Sequence, residues 1–474
     1  MYFTTGPYFV FLMAVFFGYW ALAGRPRWRV AFLALASCFF YSMTGLRGLV
    51  LLVAVSAVDF TTASQMAHAE KPRRRNLLFI SLAVDIGTLC VFKYTGFFIE
   101  AGAGALSMLG VTLPPAAFEI VAPAGISFFI FQSTAYVIDV YRRDTEPAEN
   151  YLDYLAFLSF FPTIVAGPIL RARHLLPHLR RAVDLDASSG GGALFLIAIG
   201  LIKKIAIADY LSANLVDRVF DFPERFSSVE VLWGIYGYAV QIYADFSGYS
   251  DIAIGSAMLL GFTLPVNFNA PYRSRDLPEF WRRWHISLST WLRDYLFFTI
   301  AGSRGRDRVK LYSGVIVTML IGGLWHGASW TFVLWGLLHG VGLAGVRALD
   351  GLRKRRGLVR RNSPWSSAIG VVITFHFLCF TWIFFRADAV GRAVSVIRRL
   401  FSLTVDSSNL TAPVALVVIL GFLSHWFPKR LCEGAAAGFI KLPSPAQACV
   451  LFALAAGLYL VSSSDIAPFI YSRF

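Results

Sequence analysis

One histidine, His326, sits in the apolar run 321–340, IGGLWHGASWTFVLWGLLHG, with Gly322, Gly323 and Gly327 around it and Trp325, Ser329 and Trp330 beside it. An ionisable side chain within a run of membrane-spanning length costs free energy, and where one occurs it ordinarily faces a polar cavity. Small residues such as these glycines let a second helix backbone approach closely. Imidazole changes charge near neutrality and can take or give a proton, so His326 is a candidate general acid or base. The alternative is a hydrogen bond to a neighbouring helix. A second histidine, His285, falls in the run 267–298, NFNAPYRSRDLPEFWRRWHISLSTWLRDYLFF. The spacing predicts an amphipathic helix over 278–298 opened by proline. Trp281, Trp284, Leu288, Trp291, Leu292 and Tyr295 share its apolar stripe, and Arg282, Arg283 and Arg293 fall off it. His285 lies on the flank of that stripe and can point inward. The alternative is a boundary helix whose histidine touches lipid head groups.

The elements that must position these residues are membrane spans. The chain is 57% hydrophobic and 15% charged, with a mean hydropathy of +0.61. Apolar runs recur from end to end, which predicts an all-α polytopic bundle of about twelve spans with re-entrant and interfacial helices. One integral domain, 1–474, is expected: N-terminal spans over 1–170, a polar loop over 171–192, a core over 193–385 holding both histidines, and C-terminal spans over 386–474. The stretch Ala-Ser-Ser-Gly-Gly-Gly at 187–192 reads as loop. Residues 154–170 read as a span. In 386–399, Val394 with Ile397 and Leu400 read as the apolar face of an interfacial helix. The net charge of +15 comes from cations clustered between spans, which fits orientation and anionic lipids and argues against a nucleic-acid role. Arg25, Arg27 and Arg29, then Lys71 to Arg75, then Arg353 to Arg361, are placed in the cytosol, and both termini outside. The first cations follow the first apolar run, so that run reads as a retained span rather than a cleaved signal. Cys38, Cys90, Cys379, Cys432 and Cys449 show no disulfide or CxxC spacing.

Together, WRRWHISLSTWLRDY at 281–295 and GGLWHGASW at 322–330 resemble the membrane-bound O-acyltransferases, in the bacterial branch of alginate O-acetylation and teichoic-acid D-alanylation. In that family the residue matching His326 is the near-invariant catalytic histidine, and the one matching His285 the second conserved polar position. The resemblance implies acyl transfer from a thioester to a hydroxyl. That chemistry needs a base for the hydroxyl proton and an acid for the leaving thiolate, with water kept out. His326 is then expected to be the base, and His285 to orient substrate or stabilise charge. Trp281, Trp284, Trp325, Trp330 and Ser329 are expected to line or support the pocket. The run 241–255, QIYADFSGYSDIAIG, also matches the family. Asp245 and Asp251 there are expected to brace the site as paired or hydrogen-bonded carboxylates rather than to react.

The resemblance further implies no bound cofactor and no metal, and a donor that is acetyl-CoA or an acylated carrier protein on the cytosolic side, for which Arg273, Arg275 and Arg282 are candidate contacts. The acceptor would be an exported polysaccharide or a periplasmic acyltransferase, with lipids around the protein in a bacterial inner membrane. The chain ends APFIYSRF, similar to the aromatic endings of envelope acyl-transfer proteins in which a tyrosine is proposed to carry the acyl group. Tyr471 is the matching residue, Ser472 and Arg473 depart from the usual ending, and an aromatic membrane anchor is the alternative. His68, His339, His376 and His425 read as structural. His174 and His178 lie four apart across Pro177, a poor zinc pattern. Asp85 reads as a buried carboxylate with Lys93 two turns on, without an assigned role. A proton-coupled transporter would need two related halves of interrupted spans, which the sequence lacks; a non-catalytic scaffold would tolerate loss of the histidines.

Overall fold

The computed structural model describes residues 3–111, 121–181, 184–302, 307–357 and 363–461, and every regular element among them is helical. The chain forms two compact units. One runs to Gly190 and includes Ala253–Pro265; the other comprises Gly191–Ile252 and the chain from Val266 onward. Tyr471 and its neighbours lie outside the described residues.

The first unit holds α1 (Gly6–Ala21), α2 (Pro26–Ser42), α3 (Leu46–His68), α4 (Lys71–Met108), α5 (Ile126–Arg142), α6 (Tyr151–Leu158) and α7 (Ala172–Leu179). Asp59 of α3 and Asp85 of α4 are fully buried, and buried carboxyls require partners. Asp59 accepts hydrogen bonds from Ser81 of α4 and Ser133 of α5, and Thr134 of α5 donates to Asp85 at 2.8 Å. Ser133 also meets the Tyr154 hydroxyl of α6 at 2.8 Å, so one polar cluster fastens four helices. Lys93 donates instead to Ser127 at 3.1 Å.

The span expected over 154–170 is not formed. Helix α6 has eight residues, and the chain then runs through buried turns to Leu170. Pro162, Gly167 and Pro168 explain the break, since proline removes a helical hydrogen bond. At Gly125 (φ +75°) an added Cβ would lie 2.5 Å from the Ile164 carbonyl oxygen. Irregular backbone of this kind persists at membrane depth only where protein covers it.

The second unit contains α8 (Ala187–Asp221), α9 (Ser228–Leu259), α10 (Leu277–Trp281), α11 (Ile286–Trp291), α12 (Arg308–His326), α13 (Trp330–Arg355), α14 (Pro364–Arg386), α15 (Val390–Leu400), α16 (Ala412–Leu423), α17 (Lys429–Lys441) and α18 (Ser444–Val461). The first four residues of α8 and the last seven of α9 fall in the other unit. The expected polar loop over 171–192 is therefore largely helical: it holds α7 and the first turns of α8. The Asp186 carboxylate accepts the Ser189 N–H at 2.7 Å, an N-cap that starts α8 before its glycines.

Seven helices among the described residues are long and apolar enough to cross a membrane: α3, α4, α8, α12, α13, α14 and α18. Residues 412–426 with α17, bent by 96°, would make an eighth, and the apolar α1 has 16 residues. The remaining runs expected as spans are the shorter α2, α5 and α6 and the carboxylate-bearing α9. Helix α15 also differs from expectation. Its buried residues are Ala393 and Val396, with Ile397 and Leu400 packed on the same core, while Val394 is 43% exposed. Its apolar face thus rests on protein, and Arg399 is held by the Phe226 carbonyl.

Candidate active site

Helices α12 and α13 form a hairpin whose contact surface is written in glycine. A Cβ at Gly323 would lie 2.3 Å from the Phe332 carbonyl oxygen, and one at Gly336 would lie 2.4 Å from that of Met319. Only residues without a side chain allow this approach. His326 is the last residue of α12, Gly327 continues in extended backbone, and Ser329 caps α13 by accepting the Thr331 N–H. The hairpin places His326 against aromatic edges. Its ring centroid lies 5.0 Å from those of Trp325 and Trp335 and 5.1 Å from that of Phe385. His326 is 2% exposed. The imidazole therefore sits in an aromatic box from which water is largely excluded.

The helix expected over 278–298 is broken, and the break makes the second half of the site. Helix α10 ends at Trp281, and His285 adopts a left-handed backbone (φ 41°, ψ 56°) before α11 begins. For a residue with a Cβ that conformation costs about 1–2 kcal/mol. Asn267 offsets the cost: its carbonyl accepts the Ile286 N–H at 3.0 Å. Its side-chain oxygen accepts from the Ser287 N–H at 3.1 Å, the Ser287 hydroxyl at 2.9 Å and His285 Nδ1 at 3.3 Å. With Nδ1 donating, Nε2 carries the lone pair. His285 is fully buried, 4.6 Å from the Phe246 ring and 5.9 Å from that of Trp325. One indole, Trp325, thus touches both histidines.

A third imidazole joins them. His339, one turn after Trp335 on α13, packs 4.6 Å from that indole and 5.4 Å from Trp281. Its Nε2 meets the Thr381 hydroxyl at 3.1 Å, and Thr381 in turn donates to the Leu378 carbonyl. The hydroxyl therefore accepts, and His339 is protonated on Nε2. Read as structural from sequence, His339 is part of the wall between His326 and Trp281. Its four-residue spacing from Trp335 was the available signal.

Trp281 separates that wall from a cavity of about 540 Å³ that Arg282, Leu292, Arg293, Met319 and Arg347 also line. Met319 precedes His326 by seven residues, so cavity and imidazole lie about 10 Å apart along the same side of α12. Of the expected donor contacts, Arg282 lines this cavity, whereas Arg273 and Arg275 line another with Glu279 and Arg283. Trp284 is buried in the aromatic core against Trp382, at 5.2 Å. Trp330, expected to line the pocket, is instead 56% exposed at the start of α13, because the extended backbone at Gly327 turns the chain before it. Asp245 pairs with Lys204 and Asp251 with Lys203, each at 2.6 Å, and Lys204 also pairs with Asp209. These pairs tie α8 to α9, where Gly200 and Gly248 meet. His178 Nδ1 is engaged by the His174 carbonyl at 2.8 Å.

The family model of the membrane-bound O-acyltransferases matches residues 148–386, the interval that contains both histidine motifs. The chain belongs to the membrane-bound O-acyltransferase family. It is 32% identical to a probable alginate O-acetylase of Pseudomonas putida, over the whole of both chains. It is 34% identical to a peptidoglycan O-acetyltransferase of Helicobacter pylori, over 83% of this chain and 78% of that one. A teichoic acid D-alanyltransferase of Streptococcus thermophilus shares 30% identity over 55% of this chain and 67% of its own. The protein is accordingly a multi-pass membrane acyltransferase.

Proposed function

We propose that the protein moves an acyl group, acetyl in the simplest case, from a cytosolic thioester to a hydroxyl on an exported envelope polysaccharide or on a periplasmic acyltransferase that relays it. The observation that carries this reading is the pair of buried histidines on one indole, joined along α12 to an arginine-lined cavity. Arg282, Arg293 and Arg347 suit the phosphates of coenzyme A or of a carrier protein's prosthetic arm. Its apolar walls suit the arm that carries the thioester.

His326 takes the proton of the acceptor hydroxyl as that oxygen attacks the thioester carbonyl. The carbon–sulfur bond breaks, an ester forms, and the imidazolium returns the proton to the departing thiolate. His285, fixed by Asn267, orients the acceptor or steadies the oxyanion. The cationic run 353–356 ends α13 near the arginine cavity. Positive-inside reasoning puts that end in the cytosol of an inner-membrane protein and His326 towards the other face. The names of the alginate and peptidoglycan relatives favour acetyl and a polysaccharide over D-alanine and teichoic acid. Tyr471 would serve as an acyl relay on the outer side.

Membranes supplied with radiolabelled acetyl-CoA test this. Label reaching polymer or protein in wild type, and lost in His326→Ala and His285→Ala, is the expected result. Unchanged transfer in His326→Ala would sink the assignment. Loss of protein-bound label in Tyr471→Phe supports the relay, and its persistence removes it. If wild type transfers only from an acylated carrier protein, the donor is the carrier.

A further inference from the structure

A second cavity, about 380 Å³, lies on the other side of α10 from the donor cavity and shares no lining residue with it. Arg273, Arg275 and Arg283 line it, with Glu279, Ser367 and Trp426. Three guanidinium groups face one carboxylate. Glu279 pairs with Arg275 at 3.3 Å and with Arg283 at 2.9 Å, while Arg273 has no carboxylate within ion-pair distance among the described residues. The pocket therefore holds excess positive charge that its own residues do not neutralise.

Two of its arginines, Arg275 and Arg283, are fixed before any ligand arrives. The Arg275 N–H donates to Glu279 at 3.0 Å, and Arg283 donates to the Asn269 carbonyl at 3.1 Å. On α14, Gly370 admits the Arg275 carbonyl, since a Cβ there would lie 2.7 Å from its oxygen. Fork-shaped donors held in place are the usual recognition element for phosphate.

The surroundings indicate where such a phosphate comes from. Ala368 and Val371 of α14 line the pocket, and on the same helix Trp365, Ile369, Val372 and Ile373 are 81%, 58%, 55% and 65% exposed. Large apolar side chains left open on a membrane-spanning helix face acyl chains. Trp426 in the pocket wall is 49% exposed, and tryptophan concentrates at the membrane–water boundary. The cavity thus opens beside the first turns of a lipid-facing helix, with its arginines where a phospholipid head group would sit.

We infer that Arg273, Arg275 and Arg283 form a phosphate-binding pocket, separate from the donor cavity, that takes the head group of an anionic phospholipid. This assignment does not depend on the acyl-transfer reading, because it uses none of the histidines.

Native mass spectrometry of the full-length protein released from detergent tests it, with phosphatidylglycerol compared against phosphatidylcholine. Wild type should retain phosphatidylglycerol several-fold better. The preference should vanish in Arg273→Gln/Arg275→Gln and in Ala368→Trp, which fills the mouth while leaving every charge in place. Arg273→Lys should keep most of it. Equal retention of the two lipids by wild type overturns the proposal, as does unchanged preference in both variants. Displacement of the lipid by millimolar inorganic phosphate assigns the pocket to a free anion and overturns the lipid source. A raised KM for acetyl-CoA in the variants with lipid retention intact places these arginines on the donor path, and overturns it too.

Discussion

His285 does two things that mutation can separate. Its backbone occupies the left-handed region and its ring closes one side of the site. Asparagine tolerates the left-handed region better than most residues with a Cβ. His285→Asn should therefore fold with near wild-type thermal stability in detergent while losing acyl transfer by about 10²-fold or more. Asn267→Ala should lower both. It leaves Ser287 donors buried without their acceptor, costing about 1–3 kcal/mol, and misplaces His285, so stability and transfer fall together. If His285→Asn unfolds, the turn rather than the imidazole explains the residue. His326 has no such double duty: it ends a helix, and its alanine variant should keep the fold.

At the scale of elements, two local devices position the histidines. One is the glycine surface between α12 and α13. Gly323→Ala puts a methyl group against the Phe332 carbonyl and should destabilise the hairpin by about 1–3 kcal/mol, read as a lower melting temperature in detergent. The other is the Glu279 clamp at the turn that carries Trp281 to His285. Burial opposes ionisation of Glu279, but the hydrogen bonds from the Arg275 N–H and the Arg283 and Arg275 side chains outweigh it and hold the carboxyl below its ordinary value of 4.5. The folded state thus favours the ionised form. The clamp's contribution is complete above pH 4.5 and is lost as pH falls through the depressed folded value. Thermal unfolding followed from neutral to acid pH should show this loss in wild type and a flatter curve in Glu279→Gln; parallel curves would rule it out.

For the whole molecule, the orientation in the membrane decides whether the arginine-lined cavity proposed to take the donor faces the cytosol. Arg353, Lys354, Arg355 and Arg356 close α13 beside it, and Lys429 and Arg430 open α17. If both runs are cytosolic, α18 crosses once more and ends outside. Alkaline phosphatase fused after Val461 should then be active, and a fluorescent protein at the same point dark. A fluorescent fusion with inactive phosphatase would reverse the orientation, and the acceptor would have to approach from the arginine side.

Several features were legible in the sequence because they depend on local order along the chain. Helical class follows from apolar run length, and the histidine motifs carry the family. Asp245 and Asp251, on a helix among apolar residues, needed either ion pairs or hydrogen bonds, and the structure supplies lysines. What the sequence left hidden depends on residues far apart. A periodicity that predicts one helix over 278–298 cannot show that Asn267, before it, holds His285 in a left-handed turn. Glycines at 187–192 read as loop because their propensity is poor, yet Asp186 starts the helix. Arg273, Arg275 and Arg282 lie close in sequence and read together as donor contacts; in the folded chain Arg282 lines one cavity and Arg273 and Arg275 another. His339 joined the site only once α13 folded back along α12. Chemistry-bearing residues can be recognised by type and spacing, but which of them share a cavity is settled by packing, since burial and contact are properties of the folded chain alone.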